Sequence, residues 1–361
     1  MSTYDVVVVG GGIGGLTVAA LLSARGLKTC LLERQSQVGG CIARVEYSGY
    51  DFEPGMGLYT SFGAGEVYDT LFAQLPVAAP EVLLLDTSYV LRRADRSDVQ
   101  ISTDDLYSIT GGPATLAERL AESIKQSGGN LRLNSPVLRL AYDDSGRAIG
   151  IDLLSGERVL ATRAIVSNLT IWDTYGKLIG LNRTPAEIKK QLKELRGTGV
   201  YVVYAAIEES AVKRLPSPVM RVEDGEGEFT LAISASGIEG KRAVTFTTRT
   251  EVDSWFTYQT SEEDYEEWDQ DALAHFWSRL HAALPELGGD IEVIETANPR
   301  TYYDSTRRKL GMVLGIEGAV EMGHRTSIEN VFMVGDTVAE PRIDTVVQAA
   351  IALAEIIVGQ D

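Results

Sequence analysis

A run of valines that ends in a cluster of glycines constrains this chain more than any other feature of its sequence. Residues 6–9 read VVVV and residues 10–15 read GGGIGG. Such a β-branched run predicts a strand buried on both faces of a parallel sheet. Gly10, Gly12 and Gly15 then fit the pattern G-x-G-x-x-G, whose missing side chains allow a tight turn, a close approach of backbone to a diphosphate, and packing of helix on strand.

The residues after this turn complete a βαβ unit. Residues 13–25 predict a helix whose first amides face the phosphates, and residues 28–32 predict a second buried strand. Glu33 comes next, at the distance where an acidic side chain accepts hydrogen bonds from ribose hydroxyls, and its charge argues against the extra phosphate of NADP. The start of the chain is therefore predicted to bind a dinucleotide, with an ordinary glycine-rich turn as the alternative.

Composition limits the class of protein. With 361 residues, of which 44% are apolar and 23% charged, the chain is expected to form two globular domains. Its formal net charge of −18 would repel nucleic acid and anionic lipid headgroups. No apolar run reaches the roughly 18 residues of a membrane-spanning helix, so we expect a cytoplasmic protein, with peripheral membrane contact and oligomeric state left open.

The cysteines and histidines predict neither a metal site nor a redox disulfide. Cys30 and Cys41 form no CxxC pair, and His275, His281 and His324 lack the spacing of metal ligands. His275 and His281 fall within a predicted helix, where histidine more often packs or meets solvent than catalyses.

A second glycine-rich segment carries a family resemblance. Residues 38–57, VGGCIARVEYSGYDFEPGMG, are similar to the second flavin motif of the phytoene desaturase, carotenoid isomerase and retinol saturase group of the FAD-dependent amine oxidase superfamily. In that group a glycine pair and the next residue touch the diphosphate, and a turn after an aromatic-acidic pair reaches the flavin. The matching residues are Gly39, Gly40 and Cys41 for the first element, and Phe52, Glu53, Gly55 and Met56 for the second.

Cys41 departs from the commonest form of this motif. Many members of the group carry arginine at the corresponding position, whereas cysteine occurs in the saturase and isomerase branch. Arg44 is the candidate replacement for the missing positive charge. The alternative is that Cys41 is only a small residue at a tight turn, where backbone amides bind the phosphates alone.

Residues 111–140 resemble the group most closely. They predict a helix after Pro113 and then a strand, and the resemblance implies that the main chain at Val137 holds the adenine. An ordinary core valine is the alternative. Turns at residues 143–146 and 155–156 separate the strands of a predicted β-meander, which is also similar to the group.

The C-terminal match consists of a strand, a turn and a helix. Residues 331–334 lead to a glycine and Asp336, and the resemblance implies that this aspartate binds the ribityl chain or the diphosphate. Relatives carry glycines and proline where residues 342–345 stand, so flavin contact at the start of the last helix would use a changed turn. A surface turn with a helix cap would explain Asp336 and Asp344 without any cofactor.

These segments together predict an α/β fold: a Rossmann-type FAD-binding domain of the glutathione reductase 2 (GR2-like) kind with a β-meander, plus an α+β substrate domain built on an antiparallel sheet. The first domain is assigned to residues 1–75, 111–170 and 297–361, and the second to residues 76–110 and 171–296. FAD is expected to be noncovalent, because neither cysteine lies where covalent-FAD relatives carry theirs. The residues assigned to FAD are Gly10, Gly12, Ile13, Gly14, Gly15, Glu33, Arg34, Gly40, Cys41, Gly55, Met56, Val137, Gly335, Asp336, Asp344, Thr345 and Val346.

Residues 169–296 contain no motif that we can attribute. Residues 184–187, TPAE, predict a capping box at a helix start, and residues 261–284 predict a long helix. Three strand-like runs predict the antiparallel sheet on the substrate side: residues 200–207, 229–234 and 243–250.

Function is inferred from the resemblance, because no catalytic side chain can be assigned. In such enzymes the flavin takes or returns hydride while the fold orients the substrate. Tyr302 and Tyr303 are candidates to line the space over the flavin ring, with core packing as the alternative. We expect an FAD-dependent oxidoreductase that desaturates, saturates or isomerises a small apolar isoprenoid or polyene. The alternatives are an amine oxidase-like flavoenzyme and a binding protein of the same fold.

Overall fold

Two β-sheets frame the protein, one built around the start of the chain and one around its middle. The computed structural model describes residues 2–85, 89–102, 105–257, 261–289, 291–315 and 322–359. The strands are β1 Ser2–Val9, β2 Thr29–Leu32, β3 Val45–Tyr47, β4 Tyr50–Phe52, β5 Val82–Leu84, β6 Tyr89–Arg92, β7 Asp98–Ile101, β8 Tyr107–Ile109, β9 Asn130–Arg132, β10 Val137–Tyr142, β11 Ala148–Leu153, β12 Arg158–Ser167, β13 Gly199–Glu208, β14 Val219–Glu223, β15 Glu228–Ile238, β16 Lys241–Thr250, β17 Ile291–Ala297 and β18 Val331–Met333. The helices are α1 Ile13–Ala24, α2 Val67–Phe72, α3 Ala114–Gln126, α4 Ile171–Asp173, α5 Ala186–Glu194, α6 Glu209–Val212, α7 Ser254–Thr257, α8 Glu262–Ala283, α9 Pro299–Thr306 and α10 Ile343–Val358.

The first sheet has the order β10-β11-β12-β1-β2-β9, with β18 paired to β12. Strand β1 runs parallel to both of its neighbours, β2 and β12. Val6 and Val8 pack into a core with α1, α3 and α10, whereas Val7 and Val9 pack into the core on the opposite face. The valine run is therefore buried on both faces, as predicted. Strands β10, β11 and β12 form the predicted meander.

Helices α1 and α3 begin and end close to the residues that predicted them. Helix α1 starts directly after the glycine turn, and its C-terminal side is closed by Gly26 in the left-handed region, with φ +85°. Helix α3 starts after Pro113, and Gly128, with φ +78°, stops it. Both helices cover the same face of the first sheet and pack on each other.

The second sheet has the order β17-β13-β16-β15-β14-β6-β7. Its strands pair antiparallel except for β14 and β6, which run parallel. The prediction of an antiparallel sheet thus missed this pair, because β6 enters from an earlier and separate part of the chain. Strand β13 does not alternate in burial: residues 199–207 are all buried, since α8 packs on one face and an aromatic cluster on the other.

The predicted capping box at residues 184–187 is wrong, although helix α5 does begin there. Pro185 precedes the helix without a side-chain cap, and the hydroxyl of Thr184 donates instead to the carbonyls of Tyr175, at 2.9 Å, and Gly180, at 3.1 Å. A complete capping box occurs at the start of α8, between Ser261 and Asp264. No helix within the described ranges has the length and apolar character needed to cross a membrane.

Candidate cofactor site

The first glycine turn has the geometry that its sequence pattern requires. Gly10 adopts φ +99°, and a Cβ on Gly15 would lie 2.2 Å from the carbonyl oxygen of Gly10. Only glycine at position 15 lets α1 pack this closely on the end of β1. The amide of Gly11 donates to Oε2 of Glu33 at 2.6 Å, which fixes the turn against the end of β2.

The second glycine turn lies directly beside the first. The amide of Gly39 donates to the carbonyl of Gly11 at 2.8 Å, and Gly12 forms a bridge with Gly39. A Cβ on Gly40 would come within 3.5 Å of the Cα of Gly12. We define these two turns, residues 10–15 and 39–40, as the glycine cradle. A diphosphate needs backbone without side chains in order to reach amide groups, and Gly10, Gly12 and Gly40 leave part of this backbone accessible, so these residues fit the cofactor.

Asn168 joins the glycine cradle to the C-terminal motif, and the sequence reasoning gave it no role. Its amide nitrogen lies 2.8 Å from where a Cβ on Gly12 would stand. Its amide oxygen lies 2.9 Å and 2.7 Å from the corresponding positions on Gly14 and Gly335. The signal for Asn168 was a polar residue at the carboxyl end of a strand that neighbours β1, where ligands bind in open α/β sheets.

Glu33 and Val137 are brought together at the far side of the glycine cradle. Glu33 accepts through Oε1 from the amide of Gln35 at 2.7 Å, and its own carbonyl accepts from the amide of Ser135 at 2.8 Å. This second bond places the start of β10, and therefore Val137, beside the end of β2. Arg34 reaches the carbonyl of Ser305 at 2.8 Å. Adenine and ribose binding here stays a prediction, which this neighbourhood supports.

Asp336 forms an ion pair with Arg308, a residue that sequence reasoning missed. Both side chains are 16% exposed, and Nε of Arg308 donates to the carbonyl of Met312 at 2.9 Å. Burial opposes the charge of this guanidinium, but Asp336 outweighs it and holds the pKa of Arg308 above its usual value. Arg308 lies in residues 297–361, which the sequence assigned to the FAD-binding domain, but the segment around it has no distinctive pattern of its own.

Cys41 lies next to this ion pair, and we define the surroundings of Cys41, Arg308 and Asp336 as the recess. Its side chain is exposed to solvent, yet burial raises the pKa of the thiol, and Arg308 lowers it in part. The thiol is thus reachable from solvent although protein atoms surround it closely. Arg44, the expected replacement cation, is instead paired with Asp51 at 3.3 Å and lies 3.9 Å from Glu118.

Asp344 is engaged by neighbouring protein groups. Its carboxylate accepts from the hydroxyls of Thr60 and Ser61, at 2.9 and 3.0 Å, and from the guanidinium of Arg342 at 2.7 Å. Burial alone would raise the pKa of Asp344, but these hydrogen bonds hold it below its usual value. The hydroxyl of Thr345 donates to the Glu340 carbonyl at 2.8 Å, and Val346 is buried. Flavin contact by Asp344, Thr345 and Val346 stays a prediction.

The turn after β4 places a glycine with free space beside it near a partly buried glutamate, Glu53. A Cβ on Gly55, where φ is +80°, would meet no atom within 4 Å, so space is open beside this backbone, and Met56 next to it is half-buried. The hydroxyl of Tyr59 donates to Oε1 of Glu53 at 2.6 Å. Burial raises the pKa of Glu53, and the hydrogen bond from Tyr59 lowers it in part.

Four aromatic rings from β3, β4, β13 and α9 cluster against the second sheet, and two of them, Phe52 and Tyr204, are buried. We define the aromatic wall as Tyr47, Phe52, Tyr204 and Tyr302. The ring of Tyr204 lies 5.0 Å from that of Phe52 and 5.4 Å from that of Tyr47, and its hydroxyl is hydrogen-bonded to that of Tyr302. Burial raises the pKa of Tyr204 to about 12, so this hydroxyl is neutral at ordinary pH. Tyr302 interacts electrostatically with Cys41, which places the wall next to the recess.

Tyr303, the neighbour of Tyr302 in sequence, packs against Phe256 and Arg307. Tyr303 stacks edge-on against Phe256, with ring centroids 5.7 Å apart, and its ring is covered by the guanidinium of Arg307 at 5.1 Å. Of the two candidate tyrosines, the structure places only Tyr302 at the aromatic wall. Within the described part of the chain, no three histidine, cysteine or acidic side chains are arranged to hold a metal ion.

Comparison with known proteins gives two family matches and several relatives. Residues 8–75 match the NAD(P)-binding Rossmann-like domain, and residues 91–357 match the flavin containing amine oxidoreductase family. The chain is 25% identical over 252 residues to the chloroplastic prolycopene isomerase of Arabidopsis thaliana, covering 63% of this chain and 41% of that protein. It is 33% identical over 105 residues to the carotenoid 3,4-desaturase of Haloarcula japonica, covering 29% and 21%.

Solved structures share the fold across the whole chain. An oxidoreductase from Methanosarcina mazei aligns with a TM-score of 0.72 and 15% identity, covering 98% of this chain and 100% of that one. A redesigned putrescine oxidase aligns with a TM-score of 0.72 and 13% identity, covering 100% of both chains.

The chain spans about two fifths of the length of the prolycopene isomerases that it matches. Since the second family match covers most of the sequence, the chain belongs to the flavin containing amine oxidoreductase family, and its cofactor is FAD.

Proposed function

We propose that this protein is an FAD-dependent oxidoreductase that acts on a small apolar molecule of the isoprenoid or polyene class. The observation that carries the proposal is the aromatic wall. Its four rings belong to a cluster with aliphatic side chains such as Val200, Val202 and Ile294. An apolar, aromatic surface beside a flavin favours a hydrocarbon substrate over a charged one.

The role of this chain's own residues is binding and orientation. FAD supplies the hydride chemistry when it is bound. The rings of the aromatic wall exclude water and hold an apolar chain against one side of the cofactor site. The Tyr204 and Tyr302 hydroxyls stay neutral because burial raises their pKa, so the wall presents no charge to the substrate.

The relatives support this substrate class. The names of the prolycopene isomerase and the carotenoid 3,4-desaturase both denote work on polyenes. The two sheets support the division into an FAD-binding domain and a substrate domain over residues 76–110 and 171–296, because β6, β7 and β13–β17 all belong to the second sheet. The reaction is desaturation, saturation or isomerisation.

Amine oxidation is the second candidate, because Tyr204 and Tyr302 carry hydroxyls, which a hydrocarbon substrate does not need. Tyr204 and Tyr302 offer two rings with bonded hydroxyls, on which an amine cation can stack. The fold shared with putrescine oxidase is compatible with this chemistry but does not select it.

Turnover with a substrate panel tests the proposal. FAD-loaded protein, in its oxidised form and after reduction of the flavin by dithionite, would be mixed without oxygen with phytoene, lycopene isomers and retinol in detergent micelles, and flavin absorbance and products would be followed. Oxidised flavin takes hydride in desaturation, and reduced flavin returns it in saturation. We expect conversion of at least one polyene. A protein whose flavin is reducible by dithionite but which converts none of them would overturn the proposal, and hydrogen peroxide release with amines would establish the second candidate.

A matched pair of variants connects turnover to the aromatic wall. Tyr302→Leu removes a ring from the wall, and we expect kcat/KM to fall about tenfold or more while FAD stays bound. Tyr303→Leu changes the neighbouring residue, which packs on Phe256, and should leave kcat/KM within about twofold. Equal losses in the two variants would show that the wall has no specific part in substrate binding.

A further inference from the structure

The diphosphate of FAD must be neutralised in a strongly acidic protein. The chain has a formal net charge of −18, and Asp336 adds a carboxylate next to the recess that holds Cys41. The start of α1 contributes only about half a positive charge. Cys41 itself brings none, and Arg44 is paired with Asp51. A further cation near the glycine cradle would therefore strengthen the binding of the diphosphate.

Arg308 is in the right place and is incompletely used. Its Nη2 pairs with Asp336 and its Nε with the Met312 carbonyl, while Nη1 makes no hydrogen bond to any of the described residues. The side chain keeps 16% of its surface exposed, and its charge acts on the thiol of Cys41. One edge of the guanidinium is thus held by protein and the other is available to a ligand.

The backbone around Arg308 is held in an unusual conformation. Arg307 and Leu310 are both left-handed, with φ of +56° and +50°, and Gly311 is next with φ +62°. A Cβ on Gly311 would lie 2.0 Å from the carbonyl oxygen of Pro299, so this turn is locked against the start of α9. Strained backbone of this kind persists where surrounding structure fixes it, and it often occurs at ligand sites.

We propose that Arg308 binds the diphosphate of FAD and that Asp336 acts as a positioning residue for its guanidinium. The carboxylate fixes one edge of the planar fork and leaves the other edge to donate to phosphate oxygens. The proposal goes beyond the proposed function, because it concerns retention of the cofactor and holds whichever substrate the protein converts. The competing explanation is an ion pair that only stabilises the fold.

Cofactor affinity separates these explanations. Apoprotein of wild type and Arg308→Gln would be titrated with FAD and with riboflavin, which lacks phosphate, by isothermal calorimetry. We expect the Kd for FAD to rise about 10- to 100-fold in the variant, the size of a lost charge-assisted hydrogen bond. The Kd for riboflavin should stay within about twofold, and the FAD affinity of wild type should fall more steeply with added salt than that of the variant.

Control variants guard against a misfolded protein. Arg44→Gln removes a nearby arginine that is already paired on the surface and should leave the Kd for FAD unchanged. If Arg308→Gln alone fails to fold because Asp336 loses its partner, Arg308→Gln with Asp336→Asn removes both charges and should fold while binding FAD weakly. Cys41→Arg added to Arg308→Gln returns a positive charge to the same recess and should recover FAD affinity.

Three results would overturn the proposal. The first is a Kd for FAD in Arg308→Gln, or in the double variant with Asp336→Asn, that stays within about twofold of wild type. The second is an equal loss for FAD and riboflavin. The third is an unchanged Kd for FAD with a shifted flavin reduction potential, which would place Arg308 at the ring.

Discussion

The glycine cradle, where we expect FAD to bind, and the aromatic wall, where we propose that the substrate binds, would recognise their ligands by different means. In the cradle, Gly10, Gly15 and Gly39 are required because backbone must approach backbone or phosphate, as the 2.2 Å position beside Gly15 shows. In the wall, side chains such as Tyr204 and Tyr302 provide the surface, and other large apolar residues could fill similar volumes. A site built from backbone can be recognised in the sequence by its glycine spacing. A site built from packed rings has no such spacing.

The largest expected effect is at the cradle, in Gly15→Ala. The new Cβ would overlap the Gly10 carbonyl, so β1 and α1 must separate. We expect a loss of at least about 3 kcal/mol in the free energy of unfolding and more than about 100-fold in FAD affinity. Thermal unfolding and the flavin-to-protein absorbance ratio would measure both.

Gly156→Ala is the control for Gly15→Ala. Gly156 is left-handed, with φ +86°, unlike Gly15, which lies in α1, and an added Cβ on Gly156 would meet no atom within 4 Å. Only the conformational cost of about 1 to 2 kcal/mol should remain, with FAD affinity unchanged. If both variants lost FAD equally, backbone approach at the cradle would not be the cause.

A smaller effect is expected from Asn168→Leu. This substitution replaces an amide that lies against the first glycine turn and Gly335 with an apolar group of similar size. The contacts to Gly12, Gly14 and Gly335 lose their polar partner while the volume is kept. We expect FAD affinity to fall about tenfold, the size of one to two ordinary hydrogen bonds. Fluorescence titration of the apoprotein with FAD would show it, and an unchanged Kd would mean that Asn168 is only a spacer.

In the aromatic wall, Phe52→Leu should leave the cofactor in place. The substitution removes contacts with Tyr47 and Tyr204, and we expect it to cost about 1 to 2 kcal/mol in stability. The Kd for FAD should stay within about twofold while KM for the substrate rises. Calorimetry and steady-state kinetics would check the two quantities. A loss of FAD as large as in Asn168→Leu would remove the distinction between cradle and wall.

The smallest effect is a pH dependence, carried by Glu53. Because its pKa is raised in the folded state, its stabilising contribution is complete below the unfolded pKa and is lost as pH rises through the folded pKa. In wild type the free energy of unfolding should therefore fall as pH rises above about 4. Glu53→Gln should reduce this fall by less than about 1 kcal/mol. Chemical unfolding across pH would measure the slope, and an unchanged slope would contradict the assignment.

Asp344 gives the opposite sign and serves as the control for Glu53. Its pKa is lowered on folding, so its contribution is present above the unfolded pKa and is lost as pH falls through the folded pKa. Asp344→Asn should flatten only the acidic side of the stability profile. A change on the neutral side would show that the two carboxyl groups are coupled.

The elements that the sequence predicted well are those whose residues leave few alternatives. Residues 6–9 could only be a doubly buried strand, and Gly10, Gly12 and Gly15 fixed the turn after it. The meander over β10–β12 was marked by two turns with left-handed glycines, Gly146 and Gly156.

The missed features depend on contacts between distant parts of the chain. Arg308 lies 28 residues before Asp336 in sequence, and no local pattern distinguishes it from Arg44, which pairs with Asp51. The parallel pairing of β6 with β14 joins residues about 130 positions apart, and neither strand encodes its neighbour. Thr184 stands in a capping sequence, but in the folded chain its hydroxyl donates to the carbonyl of Tyr175 and does not cap α5.

The pairing of β12 with both β1 and β18 has a consequence for how the protein is made. Strand β1, which carries the glycine turn, is synthesised about 150 residues before its neighbour β12, and β18 follows only near residue 331. Until then the nascent chain exposes an apolar strand edge that can associate wrongly. FAD is therefore expected to stabilise the chain only after β18 and α10 have been synthesised.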